Sequence, residues 1–139
     1  MQIPIITGFY AGLLGIILFL LTAYVGRTRV KTGVVLMDGG KREMIVAIRR
    51  QANFIELVPF CLILLAIAEM GRTSIYVIHL LGIALVICRI IHPFGLNPET
   101  YDTWQRKVGA GGTMIVLLIL SLWTIYLYIL RAMALGFAP

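Results

Sequence analysis

Four apolar stretches divide the 139-residue chain, at about Ile3 to Val25, Met44 to Ala68, Ser74 to Ile91 and Val108 to Leu130. Each comes close to the roughly 20 residues with which a helix crosses about 30 Å of hydrocarbon at about 1.5 Å per residue. Hydrophobic residues make up 60% of the chain and charged ones 13%, so almost nothing remains for a water-exposed domain. Lipid offers no hydrogen bonds to a backbone, which restricts spanning segments to helices or a closed barrel. The stretches are continuous rather than alternating and too few for a single-chain barrel. The sequence therefore predicts an all-α integral membrane protein, one domain over residues 1–139 with four transmembrane helices. The first stretch lacks a basic segment before it and an A-x-A-like site after it, so it reads as a permanent span and not a cleaved signal.

The net charge of +6 acquires meaning on this topology. Arg27, Arg29, Lys31, Lys41, Arg42, Arg49 and Arg50 follow the first span and Arg106 and Lys107 precede the fourth, whereas the opposite side carries Arg72 and Arg131. The positive-inside rule places the two basic connections in the cytoplasm and both termini on the other side. Anionic headgroups are natural partners for some of these charges. Nucleic acid is not, because no basic stripe with interleaved aromatics and no polar domain is available to bind it.

The connection after the first span, which is expected to end at Gly26, carries a turn signal at Asp38-Gly39-Gly40. The short "EMGRTS" makes spans two and three antiparallel neighbours. Pro93 removes a backbone donor and disfavours helix at His92, so span three should kink or end there. Gly8, Gly12 and Gly15 in span one and "GAGG" at the head of span four are spaced for close helix approach in lipid. Cys61 and Cys88 lie inside spans without CxxC spacing and read as small packing residues. Trp104, Trp123, Tyr126 and Tyr128 fall near membrane boundaries, as aromatic-belt residues do.

Polar residues inside the spans carry the functional signal. An ionisable side chain near the centre of a span costs roughly 2.5 to 3.5 kcal/mol on insertion scales, so it usually faces protein and finds a partner. At about 100° per residue Arg49, Asn53, Glu56 and Phe60 fall within about 60° of one another on one face of span two. Arg89 and His92, three apart on span three, also share a face. Two readings stay open. Glu56 with Arg49 or Arg89 can form a structural ion pair, or the surplus of cations over the lone carboxylate can hold an anionic ligand. His79 points away from His92 and reads as a packing or interfacial histidine. Neither a metal-ligand spacing nor a Ser-His-Asp arrangement is present in the spans.

In "RRQANFIELVP" the residues Arg49, Gln51, Asn53, Glu56 and Pro59 stand in the register R-x-Q-x-N-x-x-E-x-x-P, and in "RIIHPFG" Arg89, His92 and Gly95 form a second landmark. With the four-span layout, these motifs resemble the MAPEG family, the membrane-associated proteins in eicosanoid and glutathione metabolism, over essentially the whole chain. The resemblance implies a left-handed four-helix bundle assembled as a homotrimer, with a glutathione site between protomers that opens toward the cytoplasm. By the same resemblance Arg49, Gln51, Asn53 and Glu56 hold the charged ends of glutathione as co-substrate, Arg106 stabilises its thiolate as the catalytic residue, and Arg29, Arg89 and His92 line the site.

The function so implied is a membrane-bound glutathione-dependent transferase or peroxidase acting on lipophilic electrophiles or hydroperoxides delivered from the bilayer. It would sit in the inner membrane of a bacterium or the endoplasmic reticulum of a eukaryote. Leu57, His92 and Leu96 replace tyrosines of the eukaryotic synthases, and the histidine-glycine version resembles the bacterial branch. The alternative is a non-catalytic protein of the same fold that binds a lipid or small anion.

Overall fold

The computed structural model describes residues 3–100 and 102–135. Four helices make up the described chain: α1 (Ile5–Thr32), α2 (Arg42–Met70), α3 (Ile75–Phe94) and α4 (Trp104–Ala134). All four are long and apolar enough to cross a membrane, as the hydropathy of the sequence requires. They form an all-α four-helix bundle in which successive helices run antiparallel.

Every helix outlasts its apolar stretch. α1 does not end at Gly26 but runs two further turns to Thr32, and Gly33 terminates it in the left-handed conformation at φ +69°. Nothing within α1 opposes that extension, because its basic residues carry their charges outward on long aliphatic stems. Gly33 then supplies the positive φ that most residues avoid. The turn signal at Asp38 is realised, with the Gly40 amide donating to Asp38 Oδ1 at 2.8 Å and positive φ at Gly39 and Gly40. α3 likewise continues through Pro93 to Phe94 instead of stopping at His92. Its end tightens into bonds from the Gly95 amide to the His92 carbonyl and from the Leu96 amide to the Pro93 carbonyl, so the missing proline donor falls where the last turn is already closing. Thr103 caps α4 by accepting from the Arg106 amide at 3.4 Å.

Spatial order differs from chain order. α1 packs on α2 and α3, and α4 packs on α3 and α2; α1 and α4 do not touch, and α2 and α3 meet less extensively across the short diagonal. The short connection from α2 to α3 therefore joins diagonal helices. The core combines Leu14 and Leu21 of α1 with Phe54, Val58, Cys61 and Leu65 of α2, Ile78, Leu81 and Leu85 of α3, and Val116 and Leu120 of α4. Both cysteines are buried and free, in the packing role their sequence context predicts.

Small residues bring α3 and α4 together. A Cβ on Gly109 would lie 2.6 to 2.8 Å from Cβ, Cα and N of His92, and one on Gly112 would strike the Cys88 sulfur, whereas Gly111 has nothing within 4 Å. The glycines of α1 do not play this part within the chain, since Gly8, Gly12 and Gly15 also have nothing within 4 Å. At the end where α1 starts, the Glu69 carboxylate accepts from the Ile6 amide at 2.9 Å and from both the amide and the hydroxyl of Thr7 at 2.7 Å. This pins the first turn of α1 to the last turn of α2 and satisfies donors that a helix start leaves open. Nearby, Tyr10 Oη and His79 Nδ1 share a hydrogen bond of 2.8 Å, which gives His79 a packing role.

Candidate functional site

The core face of α2 runs through Phe54, Val58, Cys61, Leu65 and Ala68, and at about 100° per residue it lies roughly a third of a turn from the Arg49–Glu56 stripe. Packing the apolar face inward thus turns the polar stripe outward. Arg49 and Glu56 face each other on the surface with 3.6 Å between Nη1 and Oε1, their side chains 57% and 51% exposed. The sequence expectation that Glu56 gathers several cations inside the bundle is corrected here. Arg49 is its partner, and Arg89 belongs elsewhere. The physical reason is rotation about the helix axis: a stripe can be uniform in face and still face away from the other helices.

Asn53, on the edge of the stripe nearest the core, makes the connection inward. Its Oδ1 accepts from Arg89 Nη1 at 2.8 Å, and Arg89 Nη2 donates to the Gly109 carbonyl at 2.6 Å. Arg89 is only 1% exposed, so a guanidinium is sunk among α2, α3 and α4 on a side-chain amide and a main-chain oxygen. The same Gly109 oxygen accepts from Thr113 Oγ1 at 2.8 Å. Arg89 Nε is buried without a hydrogen-bond partner among the described residues. A charge so placed holds its neighbours in register, because losing either acceptor would leave it unsatisfied in a region that water does not reach.

One turn along α3, His92 is also buried. Above this network lies a cavity of about 200 Å³ lined by Arg49 and Asn53 of α2, His92 of α3, Leu96 of the following connection and Arg106 of α4, with Ile45 and Val46 as apolar wall. Three helices thus bring together four of the residues singled out from the sequence. Two cations, an amide and an imidazole converge on a volume that an anionic group can enter.

The remaining candidates lie outside it. Glu56 does not line the cavity and pairs with Arg49 beside it. Gln51 turns to α1, where its Nε2 donates to Thr22 Oγ1 at 2.8 Å. Arg29, expected to line the site, instead reaches back over the α1–α2 connection, its Nη1 donating to the carbonyls of Val34, Val35 and Met37 at 3.5, 3.4 and 3.0 Å. The sequence reading passed over Arg50, which bonds the Leu96 carbonyl and lies 5.2 Å over the Tyr24 ring, thereby fixing the connection that forms one wall of the cavity. Its place directly after Arg49 in a basic cluster hid it. The other omission was the Gly109 carbonyl, for a backbone acceptor leaves no mark in a sequence.

A membrane-spanning four-helix bundle with a small cationic cavity at its basic end, built over a buried Asn-Arg network, is the class of protein that these features define. The chain belongs to the MAPEG family, whose model matches residues 7–126. It is 30% identical over 117 residues to the inner membrane protein YecN of Escherichia coli (strain K12), covering 84% of this chain and 88% of that protein. The match to YecN of Escherichia coli strain CFT073 has the same identity and coverage. No solved structure matches the chain significantly.

Proposed function

We propose that the protein is a glutathione-dependent transferase or peroxidase of the bacterial inner membrane, acting on lipophilic electrophiles or hydroperoxides. The observation that carries this reading is the meeting of Arg49, Asn53, His92 and Arg106 around one cavity. Glutathione brings two carboxylates and one ammonium, and the cavity with its rim offers guanidiniums for the former and Glu56 for the latter. A thiol with an ordinary pKa of about 8.5 is only a few per cent ionised near neutrality, and the Arg106 guanidinium beside it would favour the thiolate. In conjugation the thiolate sulfur forms a bond to the electrophilic carbon of an apolar acceptor, the leaving group departs with the bonding pair, and the acceptor arrives laterally from lipid.

Glu56, Gln51 and the Arg49 side chain lie on or near the outer surface of the chain, so a neighbouring protomer would complete the site. This supports an oligomer with glutathione at the interface, and the homotrimer in particular rests on the family resemblance. The concentration of Lys and Arg at the cavity end supports a cytoplasmic opening, with both termini on the periplasmic side. The name of the relative, an inner membrane protein, supports the compartment.

A second reading has its own observation. Leu96 lines the cavity and offers no hydroxyl to a bound thiol, which favours a non-catalytic member of the fold that binds a lipid or small anion. Purified protein assayed with glutathione and a chromogenic aryl halide, beside Arg106→Ala, separates the two. The transferase reading expects turnover that falls at least tenfold in the variant. Glutathione-dependent thermal stabilisation without turnover supports the binding protein, and the absence of both sinks the glutathione reading.

A further inference from the structure

A second polar cavity, of about 460 Å³, opens at the basic end between α1 and α2, where Tyr24, Arg27, Thr28 and Lys31 face Glu43 and Arg50. Three cations stand against one carboxylate, and that carboxylate is already engaged, with 3.1 Å between Lys31 Nζ and Glu43 Oε2. Arg27 forms no hydrogen bond or ion pair among the described residues. Arg50 is held in place by the Leu96 carbonyl and the Tyr24 ring, yet its Nε is buried with no hydrogen-bond partner among the described residues. One guanidinium held in place beside a second that is engaged by no other described residue matches an oxyanion with several acceptor oxygens.

The depth of the cavity narrows the source of that anion. The 28 residues of α1 rise about 42 Å at about 1.5 Å per residue, some 12 Å more than the hydrocarbon needs. The apolar stretch of α1 ends at Val25 and its basic residues begin at Arg27, so the surplus falls at the basic end. The last turns of α1, from Arg27 to Thr32, therefore stand in the headgroup layer. The connection that follows is stiffened by Arg29 and presents Val35, Leu36 and Met37 outward, each at least 74% exposed. Contiguous apolar side chains flanked by Lys and Arg are the pattern of a segment seated at the boundary of headgroups and acyl chains.

We propose that this cavity holds the phosphodiester headgroup of an anionic phospholipid, with Arg27, Lys31 and Arg50 as its cationic contacts and Val35, Leu36 and Met37 embedded beside it. The site is separate from the cavity assigned to glutathione, although Val46 contributes to both walls, and it holds whether or not glutathione is the ligand there.

The test is thermal unfolding in neutral detergent, with native mass spectrometry, on the full chain titrated with phosphatidylglycerol, phosphatidylcholine or inorganic phosphate. Phosphatidylglycerol should stabilise and remain bound, and phosphatidylcholine at the same mole fraction should do so much less. Arg27→Gln and Lys31→Gln should each weaken phosphatidylglycerol binding about fivefold, the factor for one interfacial cation. Arg27→Lys should retain most of it and Arg131→Gln, at the opposite end, all of it. Because Arg27 makes no hydrogen bond or ion pair among the described residues, its variants should unfold at the wild-type temperature without lipid. Equal effects of the two lipids, unchanged affinity in both glutamine variants, or inorganic phosphate reproducing the full stabilisation would each overturn the proposal.

Discussion

Replacing Gly109 with alanine adds a single methyl group at the point where α4 crosses α3. That methyl would sit 2.6 Å from Cβ and 2.7 Å from Cα of His92, about 0.8 Å inside the 3.4 Å at which ordinary contact begins. Two of the three atoms it meets belong to the α3 backbone, which cannot rotate away, so the helices must part. Overpacking of this kind costs about 1 to 3 kcal/mol. Parting also draws the Gly109 carbonyl from Arg89 Nη2, now at 2.6 Å, and weakening a hydrogen bond to a buried charge adds about 1.5 to 3 kcal/mol. The combined loss, about 3 to 5 kcal/mol with allowance for non-additivity, is a large part of the stability of most proteins. Gly111→Ala, two residues away, meets nothing within 4 Å and gains up to about 1 kcal/mol of helix propensity. Thermal unfolding of both variants in detergent should therefore show Gly109→Ala melting far below wild type and Gly111→Ala at or above it. Glutathione-dependent stabilisation should vanish in Gly109→Ala, because His92 and Arg106 line the cavity from the two helices that separate. Indistinguishable melting of the two variants, or greater damage from Gly111→Ala, would refute the close-crossing account.

Glu69→Ala should lower stability by about 1 to 3 kcal/mol in the same assay by removing the acceptor of three hydrogen bonds at the start of α1, whereas Glu69→Gln should keep part of them through its amide oxygen; a wild-type melting temperature for the alanine variant would count against the clamp. Glu56→Gln should change stability by less than about 1 kcal/mol, since its pairing with Arg49 is half exposed and screened. Calorimetric titration of the same variant should show weaker glutathione binding if Glu56 holds the ammonium, and an unchanged affinity would remove it from that role.

Much of this was legible before any coordinates. The four spans and the buried cysteines follow from runs of residues, and span-two register alone was enough to group Arg49, Asn53 and Glu56. The same register could not say that Asn53 would bond Arg89, because azimuth on one helix carries no information about its neighbour. Glu56 shows the cost of that gap. Its insertion penalty suggested a buried carboxylate, and it stands instead on the outer face beside Arg49. Arg29 shows another: its motif position implied a place in the site, but the extension of α1 to Thr32 carried it to a level where loop carbonyls were the nearest acceptors.

Hydropathy and length determined by themselves that this chain crosses a membrane four times as helices, and its span-two and span-three motifs determined its family. These are properties of residues read one after another, and the exclusion of water from lipid acts on each span separately. The tertiary structure decided the diagonal placement of α2 and α3, the burial of Arg89 on Asn53 and the Gly109 carbonyl, and the cavity shared by Arg49, Asn53, His92 and Arg106. Each of these depends on how far helices rotate about their axes and how closely they cross, and contacts as small as the meeting of Gly109 with the His92 backbone set both.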